Sequence, residues 1–281
     1  MLVHRPTAAG PAAGLAVGSL ARVRIARFSA GEDPRFGVVG GEPGAEIVAL
    51  VEGDPLYRPV QLTGEHMALA DVRLLAPVIP RSKVVGVGRN YADHAAEIGN
   101  EVPAEPLLFL KPNTSVIGPG DPVVLPRQSR EVHHEAELAV VIGRVCRDVP
   151  RERAVEVVLG YTCANDVTAR DLQRSDGQWA RAKGFDSFCP LGPWIETDLD
   201  PADLAVTCTV DGDLRQSGRT SAMVHDVADL VAYVSQAFTL LPGDVLLTGT
   251  PAGVGPLHEG EEVSVTIEGI GTLTNKVITR D

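Results

Sequence analysis

The chain lacks most of the features that assign a protein on inspection. It has no excess of positive charge: in 281 residues, 25 Lys and Arg face 37 Asp and Glu, a net charge of −12. Surfaces that bind nucleic acid neutralise phosphates, so nucleic acid is excluded as a general partner. The same sign argues against docking on anionic membrane. Long apolar runs are also missing. The run Ala136 to Ile142 is broken by Glu137 and falls far short of the roughly 20 residues that cross a bilayer. The four cysteines, Cys146, Cys163, Cys189 and Cys208, show no CxxC spacing. They sit in strand-like apolar text, where a free Cys acts as a small buried hydrophobe. After Arg5 an Ala/Gly/Pro stretch reaches Gly18 without a continuous apolar segment. No secretory signal is read from it; the expectation is a cytoplasmic protein whose residues 1–20 form a disordered leader.

Three nucleotide or hydrolase signatures are absent as well. The turn Thr248-Gly249-Thr250-Pro251 has no GK[ST] ending, so it is no Walker loop. In VGVGRNY the third glycine of a dinucleotide fingerprint is replaced by Tyr91. No GxSxG elbow occurs.

What is present is short strands between turns, in a chain with 29 Gly, 21 Pro and 44% hydrophobic residues. Residues 21–77 alternate brief apolar runs with turn residues and read as a small N-terminal β module. Residues 78–281 form the larger domain, strand-rich through SKVVGVG, PLLFLK, EAELAVVIG, LAVTCTVDG, GDVLLTG and EEVSVTIEG. Two segments read as helices: Pro150 to Val158, with Ala154, Val155 and Val158 on one face, and about Asp226 to Phe238. The second carries Val227, Leu230, Val231, Val234 and Phe238 at helical spacing, and Pro242-Gly243 stops it. RNYADHAAEIG is a third, possible helical patch. The fold class expected is mainly β with few helices (α+β).

The strongest chemical signal is Glu135-Ala-Glu137 at the head of EAELAVVIG. Side chains two apart on a strand share a face, and two carboxylates there repel unless a cation or proton intervenes. Oxygen donors of this kind suit Mg2+, Mn2+ or Ca2+; the alternative is a chance pair on a solvated edge. Of the adjacent His133 and His134, at most one can face the same site. Asp166 leaves a second apolar run and needs a partner, or caps the polar segment after it. Arg170 and Asp171 can equally form a surface pair. His94 and Glu97, three apart, become neighbours on a helical turn; a carboxylate beside an imidazole suits a general base, or the two are a solvated pair. Gly88 and Gly99 flank this segment and permit a mobile lid. Lys183, among aromatic neighbours, is an electrophilic clamp for an enolate or carboxylate, or snorkels to solvent. The Gly-rich turn at Thr248–Pro251 presents backbone N–H groups to an anion.

Taken together, VVGVGRNYADHAAEIG, PLLFLKPNTSVIGPGD, HHEAELAVVIG, YTCANDVTARDLQ, WARAKGFDSFCPLGPWI and GDVLLTGTPAGVGP resemble the fumarylacetoacetate hydrolase family. They occur in the family's order from about Lys83 onward, and are most similar to its bacterial single-domain enzymes and its acylpyruvate hydrolase/oxaloacetate decarboxylase branch. The resemblance implies a rolled mixed β-sheet enclosing a metal site, commonly in a homodimer. It implies Glu135, Glu137 and Asp166 as ligands of Mg2+ or Mn2+; His94, Glu97 and Lys183 as catalytic residues; and Arg170, Gln173 and Thr250 as substrate-binding residues. Candidates for the wall distal to the metal are Pro103–Pro106 and Gln173–Trp179.

The implied function is hydrolysis of a carbon–carbon bond in 1,3-diketo acids of the acylpyruvate or fumarylacetoacetate type, to pyruvate or a related oxo acid plus a carboxylic acid. Alternatives are an oxaloacetate-type decarboxylase, an isomerase of 2-hydroxymuconate-type dienoates in aromatic catabolism, or a non-catalytic protein that binds metal and 2-oxo acids. Retention of both His94 and Glu97 favours cleavage.

Overall fold

A computed structural model describes residues 23–279 except Glu32, Ile98 and Asn100. The expected leader at 1–20 lies outside the described residues. The strand Ala136–Ile142 is the spine of the molecule, buried at all seven positions between Val158–Asn165 and Val245–Leu247. Its period of two sends Leu138, Val140 and Ile142 into one core cluster and Ala139 and Val141 into another. A strand covered on both faces needs near-continuous apolar text rather than alternation, and this one has it everywhere except Glu137.

The sheet around it runs, in spatial order, Leu62–Ala68, Ile47–Val51, Arg35–Gly40, Arg24–Ser29, Cys189–Glu196, Val158–Asn165, Ala136–Ile142, Val245–Leu247, Val84–Gly88 and Leu107–Lys111. It is mixed: most pairs are antiparallel, while Val245–Leu247 and Val84–Gly88 run parallel. A five-stranded sheet built on Ala205–Val210, Glu262–Ile267 and Gly271–Thr279 packs Val206, Cys208, Val263, Val265 and Ile267 against the Leu138 side. The helix Val227–Ala237 closes the same core with Val227, Val231 and Val234. Asp226 caps it by accepting the Asp229 N–H at 2.9 Å, an interaction of about 1 kcal/mol.

The four N-terminal strands form an antiparallel meander with a small core of their own around Phe28, Val48 and Leu50. Arg24–Ser29 also pairs with Cys189–Glu196, through Ile25 opposite Ile195. The N-terminal strands therefore extend the main sheet.

Two helical expectations change in detail, and two further helices appear. Arg151–Val157 is a 3-10 helix, in which residues three apart align; Ala154 is buried with Val157 packed nearby, while Val155 turns outward at 74% exposure. Among the described residues of the patch after Val84–Gly88, the helix covers Ala92–Glu97. Two short helices, Arg170–Asp176 and Ala180–Gly184, were not expected. At seven and five residues, neither is long enough to display an apolar period. Among the described residues no helix is long and apolar enough to cross a membrane.

Candidate active site

The antiparallel register assembles the acidic cluster. Ala136 opposes Asn165 and Glu137 opposes Ala164, which places Asp166, one residue beyond its strand, beside Glu135. Two bonds lock the corner: the Asp166 N–H donates to the Glu135 carbonyl at 2.8 Å, and the Glu135 N–H donates to Asn165 Oδ1 at 2.9 Å. Glu135, Glu137 and Asp166 are all buried, and one carboxylate oxygen from each lies within 4.8 Å of the others. Asp166 does not cap a helix; the N-cap of Arg170–Asp176 is Ala169.

Three buried cations surround this cluster. Lys183 Nζ donates to Asp166 Oδ2 at 2.6 Å, Glu135 Oε2 at 2.8 Å and Thr168 Oγ1 at 2.8 Å, so it does not snorkel. Arg170 Nη2 donates to Glu135 Oε1 at 2.5 Å and its Nη1 to Gln173 Oε1 at 3.1 Å; it is no surface partner of Asp171, which instead accepts from Ser129 Oγ at 2.6 Å. Lys111, at the end of the apolar run LLFLK, pairs with Asp166 Oδ1. Its role was missed in the sequence; a lysine buried at the end of its strand requires an anionic partner.

These neighbours split the three acids. Burial raises the Glu135 carboxyl, but Arg170, Lys183 and His94 outweigh it and hold it well below the usual carboxylate range. Glu137 moves the other way: burial, Asp166 and Glu135 push it well above that range, and Lys183 and the Gly249 N–H only partly compensate. That N–H, at 2.7 Å from Glu137 Oε2, shows what the TGTP turn does: it presents a backbone donor, and the acceptor is the Glu137 carboxyl. Gly249 sits at φ +94, where a Cβ would also lie 2.8 Å from Asn90. Burial disfavours a charged Lys183, but Asp166 and Glu135 overcome it and raise its affinity for the proton.

His94 lies between the cluster and Glu97. Its Nδ1 is 3.3 Å from Glu97 Oε2 and its Nε2 is 3.9 Å from Glu135 Oε1. Glu97 is steadied in turn by the Gly253 N–H at 3.0 Å. The surrounding cleft is lined by His94, Glu135, Glu137, Asp166, Lys183, Arg170, Gln173 and Thr250. Thr250 turns its hydroxyl into the protein, donating to the Ala136 carbonyl at 2.8 Å and accepting from Gln216 Nε2 at 2.7 Å.

Four further lining residues, Arg89, Phe109, Trp179 and Gly88, were not anticipated in this role, apart from Trp179 as a wall candidate. A Cβ at Gly88 would lie 2.5 Å from the Trp179 ring, so close packing rather than a hinge accounts for that glycine. Ala104, Glu105 and Pro106 line a separate groove with His225 and Tyr233. Neither His133 nor His134 lines the cleft: burial and Arg170 push the His133 imidazole down to about 4, and His134 Nδ1 is 3.0 Å from Gln216 Oε1.

The sequence matches the fumarylacetoacetate (FAA) hydrolase C-terminal family over residues 83–278 and the Rv2993c-like N-terminal family over residues 23–77. The chain belongs to the fumarylacetoacetate hydrolase family. Among solved relatives it is similar to a 5-carboxymethyl-2-hydroxymuconate delta-isomerase from Mycobacterium smegmatis, 52% identical, covering 92% of this chain and 100% of that one with a TM-score of 0.86. It is also similar to a fumarylpyruvate hydrolase from Pseudomonas aeruginosa in complex with Mn2+ and pyruvate, 37% identical over 74% of this chain and 92% of that one, TM-score 0.68. The human mitochondrial oxaloacetate tautomerase FAHD2A is 48% identical over 74% of this chain and 70% of its own length. Fumarylacetoacetate hydrolase family members thus include hydrolases, isomerases and tautomerases.

The donor set in this family member fits a hard divalent cation. It is all carboxylate oxygen, without the His or Cys that zinc favours, and among the described residues Glu137 accepts from the Gly249 N–H and from no cation. Three acids against Lys111, Lys183 and Arg170 also balance in formal charge. A dication leaves the cleft net positive, as an anionic substrate requires.

Proposed function

We propose that this chain hydrolyses a carbon–carbon bond in 1,3-diketo acids of the acylpyruvate or fumarylacetoacetate type. Glu135, Glu137 and Asp166 hold one Mg2+ or Mn2+, which when bound supplies Lewis-acid polarisation of the substrate's 2-oxo group. The observation that carries the reading is His94, with Glu97 at Nδ1 and the acidic cluster near Nε2. With Nδ1–H donated to Glu97, Nε2 is left as the basic nitrogen facing the cleft.

His94 takes a proton from water, and the hydroxide attacks the distal carbonyl carbon. The bond between that carbon and C3 breaks, and its electron pair passes to the pyruvate enolate. Lys183 and Arg170, held beside the cluster by its carboxylates, stabilise the developing negative charge through their positive charge. Return of the proton from His94 to C3 gives pyruvate or a related oxo acid, and the acyl carbon leaves as a carboxylic acid.

A second reading is favoured by the similarity to an isomerase and to an oxaloacetate tautomerase. There His94 relocates a substrate proton through the same enolate, and no water is consumed. Metal-stripped protein given acetylpyruvate, before and after addition of Mg2+ or Mn2+, tests both. Metal-dependent release of pyruvate and acetate supports cleavage. Absence of release, with metal-dependent loss of enol absorbance from oxaloacetate, supports the second reading.

A further inference from the structure

The edge strand Asp213–Arg219 carries one fully buried side chain, and that side chain is polar. Gln216 is 0% exposed, while every neighbour in the strand is at least partly open to solvent. An amide in that position needs all its partners. Gln216 Oε1 accepts the Ala136 N–H at 3.0 Å and faces His134 Nδ1 at 3.0 Å. Its Nε2 donates to Thr250 Oγ1 at 2.7 Å and to the Pro251 carbonyl at 2.8 Å. The amide can sit only this way round, because a carbonyl only accepts and a backbone N–H only donates. Thr250 closes the ring by donating to the Ala136 carbonyl.

A β-bulge aims the side chain. Cys208 opposes Gln216 and Thr209 opposes Leu214, so Arg215 is an extra residue in its strand, and such an insertion re-aims the residues beside it. The strand lies directly against the turn after Val245–Leu247. A Cβ at Gly253, where φ is +98, would be 2.1 Å from the Arg215 carbonyl oxygen, and a Cβ at Gly218 would be 2.5 Å from Pro251 Cβ. What Gln216 holds lies between the working parts of the site. Ala136 separates Glu135 from Glu137. Thr250 and Pro251 separate Gly249, whose N–H meets Glu137, from Gly253, whose N–H donates to Glu97. Glu97 in turn meets His94 Nδ1. Gln216 itself does not line the cleft.

We propose that Gln216 is a positioning residue: its one amide sets the spacing between the strand of the two glutamates and the turn at 249–253, and so places Glu137 for the metal and Glu97 for His94 together. This rests on the metal and His94 roles proposed above. Hydrogen-bonded supports behind metal ligands and catalytic groups orient them, and a displacement of about 1 Å at the reacting groups costs on the order of a hundredfold in rate. Without the amide, the Ala136 N–H and the Pro251 carbonyl lose a buried partner, and the turn is free to shift against the strand.

Mn2+ titration and steady-state kinetics of Gln216→Met, alone and combined with Glu97→Ala, test the proposal. Methionine is close to glutamine in size and removes the amide's bonds. Q216M should bind Mn2+ about tenfold or more weakly. At saturating Mn2+ and well below its thermal midpoint, its kcat should fall about tenfold or more with KM changed less. The substrate is whichever of acetylpyruvate and oxaloacetate the unmodified chain converts. In E97A the same substitution should change the remaining kcat by less than about twofold, because the route through Glu97 is already cut. A Q216M protein with a lowered midpoint but unchanged Kd and saturated kcat overturns the proposal, and so does an equal kcat loss in both backgrounds. If Q216M does not fold, G218A carries the same comparisons, since its methyl group presses on Pro251 and removes no polar partner; shifts of about threefold or more are expected. An unmodified chain that binds Mn2+ but converts neither acid overturns the function proposed above, and the Mn2+ comparison still decides the role of Gln216. Absence of Mn2+ binding by the unmodified chain overturns both.

Discussion

Arg151 on the outer surface donates to Asp229 at 2.6 Å and also pairs with Asp226, with 55% of its side chain in water. In the cleft, Lys183 makes bonds of the same kind and length to Asp166 and Glu135 with 3% of its side chain exposed. The chemistry is shared and the energetics are not. A surface pair gains little because water screens it and two long side chains must be ordered. A buried set has lost its hydration, which its mutual attraction only roughly repays. Retaining six ionisable groups around the end of the most apolar strand therefore calls for a functional reason, and metal and substrate binding provide one.

The comparison is broken most severely from the acidic side. Glu135→Ala should abolish metal-dependent turnover, a loss of about a thousandfold or more, and Mn2+ titration should show weakened binding. His94→Ala comes next: hydrolysis should fall about 10²–10⁴-fold while Mn2+ binding is spared. A His94→Ala protein that hydrolyses at the full rate sinks the water-activation role. Lys111→Met should destabilise metal-free protein by about 3–5 kcal/mol in urea unfolding, since Asp166 loses a buried partner; added Mn2+ should recover part of this.

A pH series sharpens the same contrast. In the metal-free protein Glu137 keeps its proton above the usual carboxylate range, and a cation must displace it. Apparent Mn2+ affinity should therefore weaken as pH falls below that raised value, by up to about tenfold per pH unit. In the same window, metal-free protein should lose stability as pH rises, because the folded state binds more protons there than the unfolded chain. Arg151→Ala is the smallest change: its thermal midpoint should match that of the unmodified chain, and a large fall would mean that the surface pairs matter as much as the buried ones.

Much of this was legible in the residues. The glutamates two apart at the head of an apolar run, the His–Glu pair three apart and the lysine beside aromatics each implied a particular chemistry, and the structure brings them into or beside one cleft. The capped helix at Val227–Ala237 was equally legible, because eleven residues suffice to show a 3.6-residue period. The helices Arg170–Asp176 and Ala180–Gly184 were not, being too short to repeat. Lys111 and Arg89 were passed over for another reason: nothing within a few residues of either reveals its environment.

Local sequence determined what propagates over a few residues: strand periodicity, the face shared by Glu135 and Glu137, the reach of His94 to Glu97, and the failure of nucleotide motifs. The tertiary structure decided what depends on distant segments. Antiparallel register put Asp166 beside Glu135, the turn at Gly249 reached Glu137, and the cations gathered around Glu135 held it charged while burial and its acidic neighbours inclined Glu137 to keep its proton. Coulomb interaction and desolvation act through space, and pairing in space is fixed only when strands far apart in the chain meet.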